Sequence, residues 1–254
     1  MSLHVERAGH GPALVLLHGW GLHGGIWKDL AAALADRFTL ITVDLPGHGH
    51  SRTTVMPEQL AAVTDLIANG VDETAAWLGW SLGGLVALDV ANRYPHKVTR
   101  LVLVDSTPRF VQNADWQPAM PPDVFNQFAA SLENDYRATV LRFLSLQAGN
   151  DDEGRRLIKT LRGEIFARGE PDPQALVHGL ALLEHSDLRQ TVSGIAAPVL
   201  VIQGQHDRLV PPAAGAWLAA TLPQARLETI ESAGHAPFLS HPQRFLDTLR
   251  GFLQ

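Results

Sequence analysis

The chain has 254 residues, 46% of them hydrophobic and 18% charged, which supplies a sizeable buried core and rules out a disordered or fibrous protein. Twenty Lys and Arg against 26 Asp and Glu leave a formal charge of −6, a poor match to non-specific nucleic-acid or anionic-membrane binding. With no cysteine, a disulfide scaffold, a thiolate nucleophile and a cysteine zinc site are all excluded.

The elements follow in chain order. Residues 1–11 carry His4, Glu6 and Arg7 and no apolar stretch of the kind a secretory signal needs, and Leu3–Arg7 suits an opening antiparallel strand. No apolar run nears the 18 residues of a membrane span, so a cytoplasmic chain is expected. Short apolar runs then recur: Ala13–Leu17, Thr39–Val43, Ala75–Leu78, Leu101–Val104, Val199–Ile202 and Leu227–Ile230. The first, fourth and fifth are continuous in Val, Leu and Ile, the pattern of parallel strands covered on both faces. Between the runs lie helix candidates at Ile26–Leu34, Glu58–Ala68, Leu85–Arg93, Ala213–Leu222 and Pro242–Leu253. Strands alternating with helices predict an α/β fold with a mostly parallel, doubly wound sheet.

The alternation stops between about Arg109 and His185. Phe125, Phe128, Leu132, Tyr136, Val140 and Phe143/Leu144 recur at steps of three and four, one face of an amphipathic helix. Asn113–Asp123 is Pro-rich and reads as a loop, and Pro171 and Pro173 mark a second break. The expected organisation is a core of residues 1–108 and 186–254 with a helical lid over 109–185.

Gly79-Trp80-Ser81-Leu82-Gly83 sits between a strand and a helix candidate, the setting in which G-x-S-x-G forms a tight turn that presents a nucleophilic serine. The glycines relieve side-chain clashes, and the helix behind adds a partial positive charge. His18-Gly19-Trp20-Gly21 follows the first buried strand, so the backbone N–H groups of Trp20 and Leu82 are the expected oxyanion hole. Asp207 and His235 each lie just past a strand, as Ser81 does, and open α/β sheets build their sites at that end. Ser81 would be the nucleophile, His235 the base and Asp207 the residue that orients the imidazole. Asp105, also at a strand end, is the rival orienting acid. His48 and His50 could bind a metal only with a third convergent ligand, so a glycine-permitted turn is preferred there and no metal or cofactor is expected.

Together these residues resemble the α/β-hydrolase superfamily over nearly the whole chain. Leu16–Leu22, Val43–Gly47, Trp77–Ala87, Arg142–Gln147, Asp187–Gln190 and Gly234–Phe238 look like the bacterial pimeloyl-acyl carrier protein methyl ester esterases of biotin synthesis. The resemblance implies an α/β-hydrolase fold with a helical lid, and hydrolysis of that methyl ester to methanol by a Ser-His-Asp acyl-enzyme route. It implies a substrate site of Trp20, Ser81, Leu82, Phe143, Leu144, Ser145, Leu146, Gln147 and His235. It also implies that Arg142, Arg155 and Lys159 receive an acidic carrier protein. Ala138 stands where a further arginine is expected, with Arg137 beside it. Independently, Arg155, Lys159 and Arg162 would share one face of a helix, a basic stripe suited to an acidic partner or to a plain solvated surface. The other readings are a general short-chain carboxylesterase acting on small-molecule esters, a carbon–carbon bond hydrolase, and a non-catalytic ligand receptor. A monomer is expected.

Overall fold

The apolar run Ala13–Leu17 becomes a strand in which Leu14, Val15, Leu16 and Leu17 are wholly buried, as a run with no polar face requires. It belongs to a seven-stranded sheet in a computed structural model that describes residues 3–135, 137–141, 159, 162–163 and 167–254, with backbone alone at 133 and 134. The strands are β1 (Val5–Gly9), β2 (Ala13–Leu17), β3 (Thr39–Val43), β4 (Ala75–Trp80), β5 (Val98–Val104), β6 (Val199–Gly204) and β7 (Ala225–Ile230). Their order is β1-β3-β2-β4-β5-β6-β7, and every pairing is parallel except β1 with β3. The helices are α1 (Lys28–Leu34), α2 (Leu60–Gly70), α3 (Leu82–Arg93), α4 (Pro122–Asn134), α5 (Pro173–His185), α6 (Pro212–Thr221), α7 (Pro237–Ser240) and α8 (Pro242–Leu253).

The chain leaves β2 toward β3 on one side and returns to β4 on the other. The ends of β2 and β4 therefore flank the switch point where open α/β sheets form their crevice, with Leu17 paired to Gly79.

Four of the five predicted helices start at a different residue, and two of the shifts have a clear cause. α3 begins at Leu82 rather than Leu85, because Gly83 and Gly84 serve close packing more than they weaken the helix. A Cβ at Gly83 would lie 2.5 Å from the carbonyl oxygens of Leu17 and His18, and one at Gly84 would lie 2.4 Å from Ser106 Cβ. Ile26–Leu34 divides into a 3₁₀ turn, Gly24–Trp27, and α1, where His23 Nδ1 accepts the Gly25 N–H at 3.1 Å.

Between β5 and β6 the described residues hold helices and two isolated bridges, Val111 with Met120 and Asn113 with Trp116, and no ladder strand. The amphipathic stripe is not one helix. α4 buries Phe125, Phe128 and Leu132 and stops at Asn134, and Asp135 turns extended. The Asp135 carboxylate then accepts the Ala138 N–H at 3.0 Å and starts the helical stretch at 137–141, as short polar side chains do at helix N-termini. Tyr136, Phe143 and Leu144 lie outside the described residues. α5 opens at Pro173 with Asp172 accepting the N–H groups of Gln174 and Ala175. Among the described residues no helix is long and apolar enough to cross a membrane.

Candidate active site

Past the end of β4, Ser81 adopts φ 55° and ψ −119°, left-handed backbone that an L-residue holds only where its surroundings impose it. The imposition is steric: a Cβ at Gly79 would lie 2.2 Å from the Gly83 carbonyl oxygen, so the turn closes only between glycines. Ser81 N–H donates to Val104 at 3.0 Å and the Ser106 hydroxyl donates to the Ser81 carbonyl at 2.8 Å, pinning both sides of its peptide. Leu82 N–H opens α3, where a helix has no carbonyl of its own to offer.

The loops after β6 and β7 bring Asp207 and His235 together. His235 Nδ1 donates to Asp207 Oδ2 at 2.7 Å, and both side chains are fully buried. Asp207 Oδ1 accepts the N–H groups of Leu209 (2.8 Å) and Val210 (3.0 Å), which fixes the carboxylate. With its proton on Nδ1, neutral His235 presents an acceptor at Nε2. His235 Nε2 and Ser81 Oγ are both buried and neither has a hydrogen-bond partner, so no bond joins them here. Trp80 holds the histidine from the serine's side: its Nε1 donates to the His235 carbonyl at 2.6 Å and its ring lies 5.6 Å from the imidazole.

The loop after β2 approaches from the other flank. A Cβ on Gly19 would come within 3.3 Å of Ser81 Cβ. His18 Nε2 accepts the Leu45 N–H at 2.9 Å, which puts its proton on Nδ1 for the Gly19 carbonyl at 2.8 Å. Burial, and then the neighbouring His48, push His18 down to about 3, so it stays neutral and fixes the peptide that precedes Trp20. The Trp20 indole reaches α5, donating to the Leu176 carbonyl at 2.9 Å.

Ser81 opens onto a cavity lined otherwise by Phe110, Met120, Phe125, Phe128, Leu180, Leu183 and Leu209. Its walls come mostly from α4, α5 and the segment before α4. Ser81 is the polar residue in it, so a ligand there would find an apolar sleeve ending at a hydroxyl.

The predicted residues divide as follows. Asp207, not Asp105, bonds His235; Asp105 lies behind, wholly buried, with Oδ1 on Gly204 N–H (2.7 Å) and Gln203 Nε2 (2.9 Å). His206 is exposed. His48 and His50 do not converge: His48 is buried with Nδ1 on the Pro46 carbonyl, whereas His50 stands with His4 and Glu6, their nearest ligand atoms within 4.8 Å of one another. In that cluster Glu6 is already shared by His4 at 3.0 Å and Arg168 at 2.8 Å. Phe143, Leu144, Ser145, Leu146, Gln147, Arg142 and Arg155 lie outside the described residues; Lys159 and Arg162 are described and exposed. Arg137, beside the exposed Ala138, is ion-paired with Glu170.

Sequence reasoning did not find Phe110, Met120, Leu180, Leu183 and Leu209 as cavity walls. It saw Phe125 and Phe128 only as a helix face, because helical periodicity is the same whether a face meets core or cavity. It also missed Gln203, which the buried strand pattern hides.

Residues 12–242 match the family model of the alpha/beta hydrolase fold. The chain is 48% identical over 251 residues to the pimeloyl-[acyl-carrier protein] methyl ester esterase of Xanthomonas axonopodis pv. citri, covering 99% of this chain and 98% of that one. It is 45% identical over 251 residues to the enzyme of the same name from Stenotrophomonas maltophilia, covering 99% and 96%. Among solved structures, a hydrolase from Pseudomonas aeruginosa superposes with a TM-score of 0.83 at 26% identity, over 99% of this chain and 94% of that one.

Proposed function

The chain belongs to the α/β-hydrolase family, and from that premise we propose that it is a serine carboxylesterase that cleaves the methyl ester of pimeloyl-acyl carrier protein, releasing methanol. The observation that carries the reading is the 48% identity, end to end, with a relative named for that reaction. The site supports it chemically.

In this reading Ser81 Oγ attacks the ester carbonyl while His235 Nε2 takes its proton. Asp207, held by two backbone N–H groups, keeps the imidazole proton on Nδ1 and stabilises the imidazolium. The N–H groups of Trp20 and Leu82 receive the oxyanion, and preorganised donors of this kind contribute about 3–4 kcal/mol each. The proton then passes from His235 to the departing methoxide, giving methanol and an acyl-serine. Water deprotonated by His235 adds to the acyl carbon, and collapse returns Ser81 and the free carboxylic acid. The apolar cavity at Ser81 suits a methylene chain and offers nothing to a charged one.

The helices between β5 and β6 act as a lid, and the carrier protein docks on its basic residues, Lys159 and Arg162 among them. Charge attraction of this sort steers association and weakens in salt.

The test compares two methyl esters under equal conditions: pimeloyl-acyl carrier protein methyl ester and dimethyl pimelate. The expected result is faster methanol release from the carrier-linked substrate at low salt, an advantage that shrinks as salt rises, and no turnover of either by Ser81→Ala. Equal turnover of both at every salt concentration would assign a general carboxylesterase instead.

A further inference from the structure

A second carboxyl lies behind the Asp207–His235 pair, and the reaction above does not use it. Asp105 follows β5 with φ 43°, another non-glycine residue in left-handed backbone, and its side chain is 0% exposed. Oδ1 is satisfied by the Gly204 N–H at 2.7 Å and Gln203 Nε2 at 2.9 Å, whereas no donor reaches Oδ2. A buried carboxylate oxygen with no donor costs several kcal/mol, unless that oxygen is itself a donor. The acceptor is at hand. Gln203 Nε2, which donates to Asp105 Oδ1 and to the Val210 carbonyl at 3.0 Å, also lies 3.5 Å from Asp207 Oδ2, so the two carboxyls flank one amide nitrogen.

We propose that Asp105 is a positioning residue: it stays protonated and donates its O–H to Asp207, completing the hydrogen bonds that hold Asp207 against His235. Burial, then the Asp207 charge, push the Asp105 carboxyl well above the usual carboxylate range, in keeping with that geometry. The groups facing it are few. The loop after β6 brings Asp207, with Arg208 beside it exposed; the loop after β7 brings His235, reached through Asp207; the first turn of α3, Leu82 to Leu85, and the whole of α6 bring no charge. The proposal rests on the Ser81–His235–Asp207 reading above.

Its test is the sign of a pH shift. The acid limb of kcat/KM follows loss of the proton from the imidazole that must act as base. If Asp105 is a neutral donor, Asp105→Ala leaves the Asp207 charge less satisfied, so it holds the imidazolium more firmly. The acid limb then moves up by about half to one pH unit, while Asp105→Asn, whose amide can donate in place of the acid, leaves the limb where it is. If Asp105 is instead a carboxylate, both variants delete a negative charge and both limbs move down, which overturns the proposal. No movement in either variant assigns a merely structural role and overturns it equally.

A readout independent of turnover and of variant folding is the carbon-13 spectrum of wild-type protein labelled at aspartate carboxyls. One resonance at the neutral-acid position, unmoved between about pH 5 and 8, is expected. A spectrum in which every aspartate is ionised at pH 7 defeats the proposal even if the esterase reading stands. Failure of wild-type turnover with the neutral resonance present would fault the esterase reading alone.

Discussion

The Trp80 indole Nε1 donates to the main-chain carbonyl of His235 at 2.6 Å, tying the residue before the candidate nucleophile to the backbone of the candidate base. The two loops are 155 residues apart in sequence, and this bond holds them in register. The ring is buried against Phe238 and Trp27, so replacing it with phenylalanine keeps most of the packing and removes the donor. Trp80→Phe should fold and lose about tenfold in kcat, near the 1.4 kcal/mol expected for one buried hydrogen bond to a group that must stay placed. Circular dichroism and steady-state kinetics on the same preparation check both halves. An unchanged kcat would mean that other contacts position His235.

Ser81 sits at φ 55°, a conformation that costs an L-residue about 1–2 kcal/mol and glycine almost nothing. Ser81→Gly should therefore be the more stable of two inactive variants. Relative to Ser81→Ala it should melt roughly 2–4 °C higher, the shift that about 1 kcal/mol produces in a chain of this size. Both should lose ester turnover by several orders of magnitude. Equal melting temperatures would show that the flanking glycines, rather than position 81, absorb the strain.

Gly179 on α5 faces the Trp20 indole, and a Cβ there would lie 2.7 Å from Trp20 Cδ1. The indole is 1% exposed and anchored by its Nε1 to Leu176, so it has little room to yield. Alanine strengthens a helix interior by roughly 0.5–1 kcal/mol over glycine, which offsets part of the clash. Gly179→Ala should stay folded yet displace the loop carrying the Trp20 N–H, lowering kcat by about tenfold or more. A melting curve with p-nitrophenyl ester kinetics tests it. Full activity would place the strain in the helix instead.

The legible parts of the sequence were those governed by local rules. Ala13–Leu17, Thr39–Val43 and Pro242–Leu253 have the predicted bounds, because continuous apolar runs and a proline-started amphipathic stretch leave few alternatives. The glycines around Ser81 announced their turn for the same reason. What was hidden depends on contacts between distant segments. Asp105 stands out as an acid just past a strand, but Gln203 lies in an ordinary β-strand context, and nothing in either stretch says that the two would meet behind Asp207. Arg168 gives no local sign that it would pair with Asp44, 124 residues away. The break at Asp135 was hidden because the apolar step of four from Leu132 to Tyr136 runs unbroken across it.

Asp44 and Asp105, both buried, should respond to pH in opposite directions. Burial alone would raise Asp44, but the N–H groups of Gly24 and His50, and the Arg168 guanidinium, outweigh it and hold the carboxyl below its usual value. The folded state therefore binds fewer protons there than the unfolded chain does. Asp44 contributes stability in full above the ordinary aspartate value of about 3.9 and loses it as pH falls through the depressed one. Asp44→Asn puts an N–H where donors already converge and should cost about 2–3 kcal/mol near pH 7. Urea midpoints should show the deficit narrowing below about pH 4. A deficit independent of pH would mean that shape, not charge, is what Asp44 supplies.

Asp105 carries the reverse sign. Burial and the Asp207 charge raise it, so the folded state keeps a proton that the unfolded chain releases. Stability is then lost as pH climbs above about 3.9, and the loss grows until Asp105 ionises within the fold. Asp105→Asn has no proton to lose and keeps the shape of the neutral acid. Its stability relative to wild type should rise steadily between pH 4 and pH 8, measured as the difference in urea midpoint at constant ionic strength. A flat or falling difference would place the Asp105 carboxyl at or below its ordinary value and leave Gln203 facing a charge.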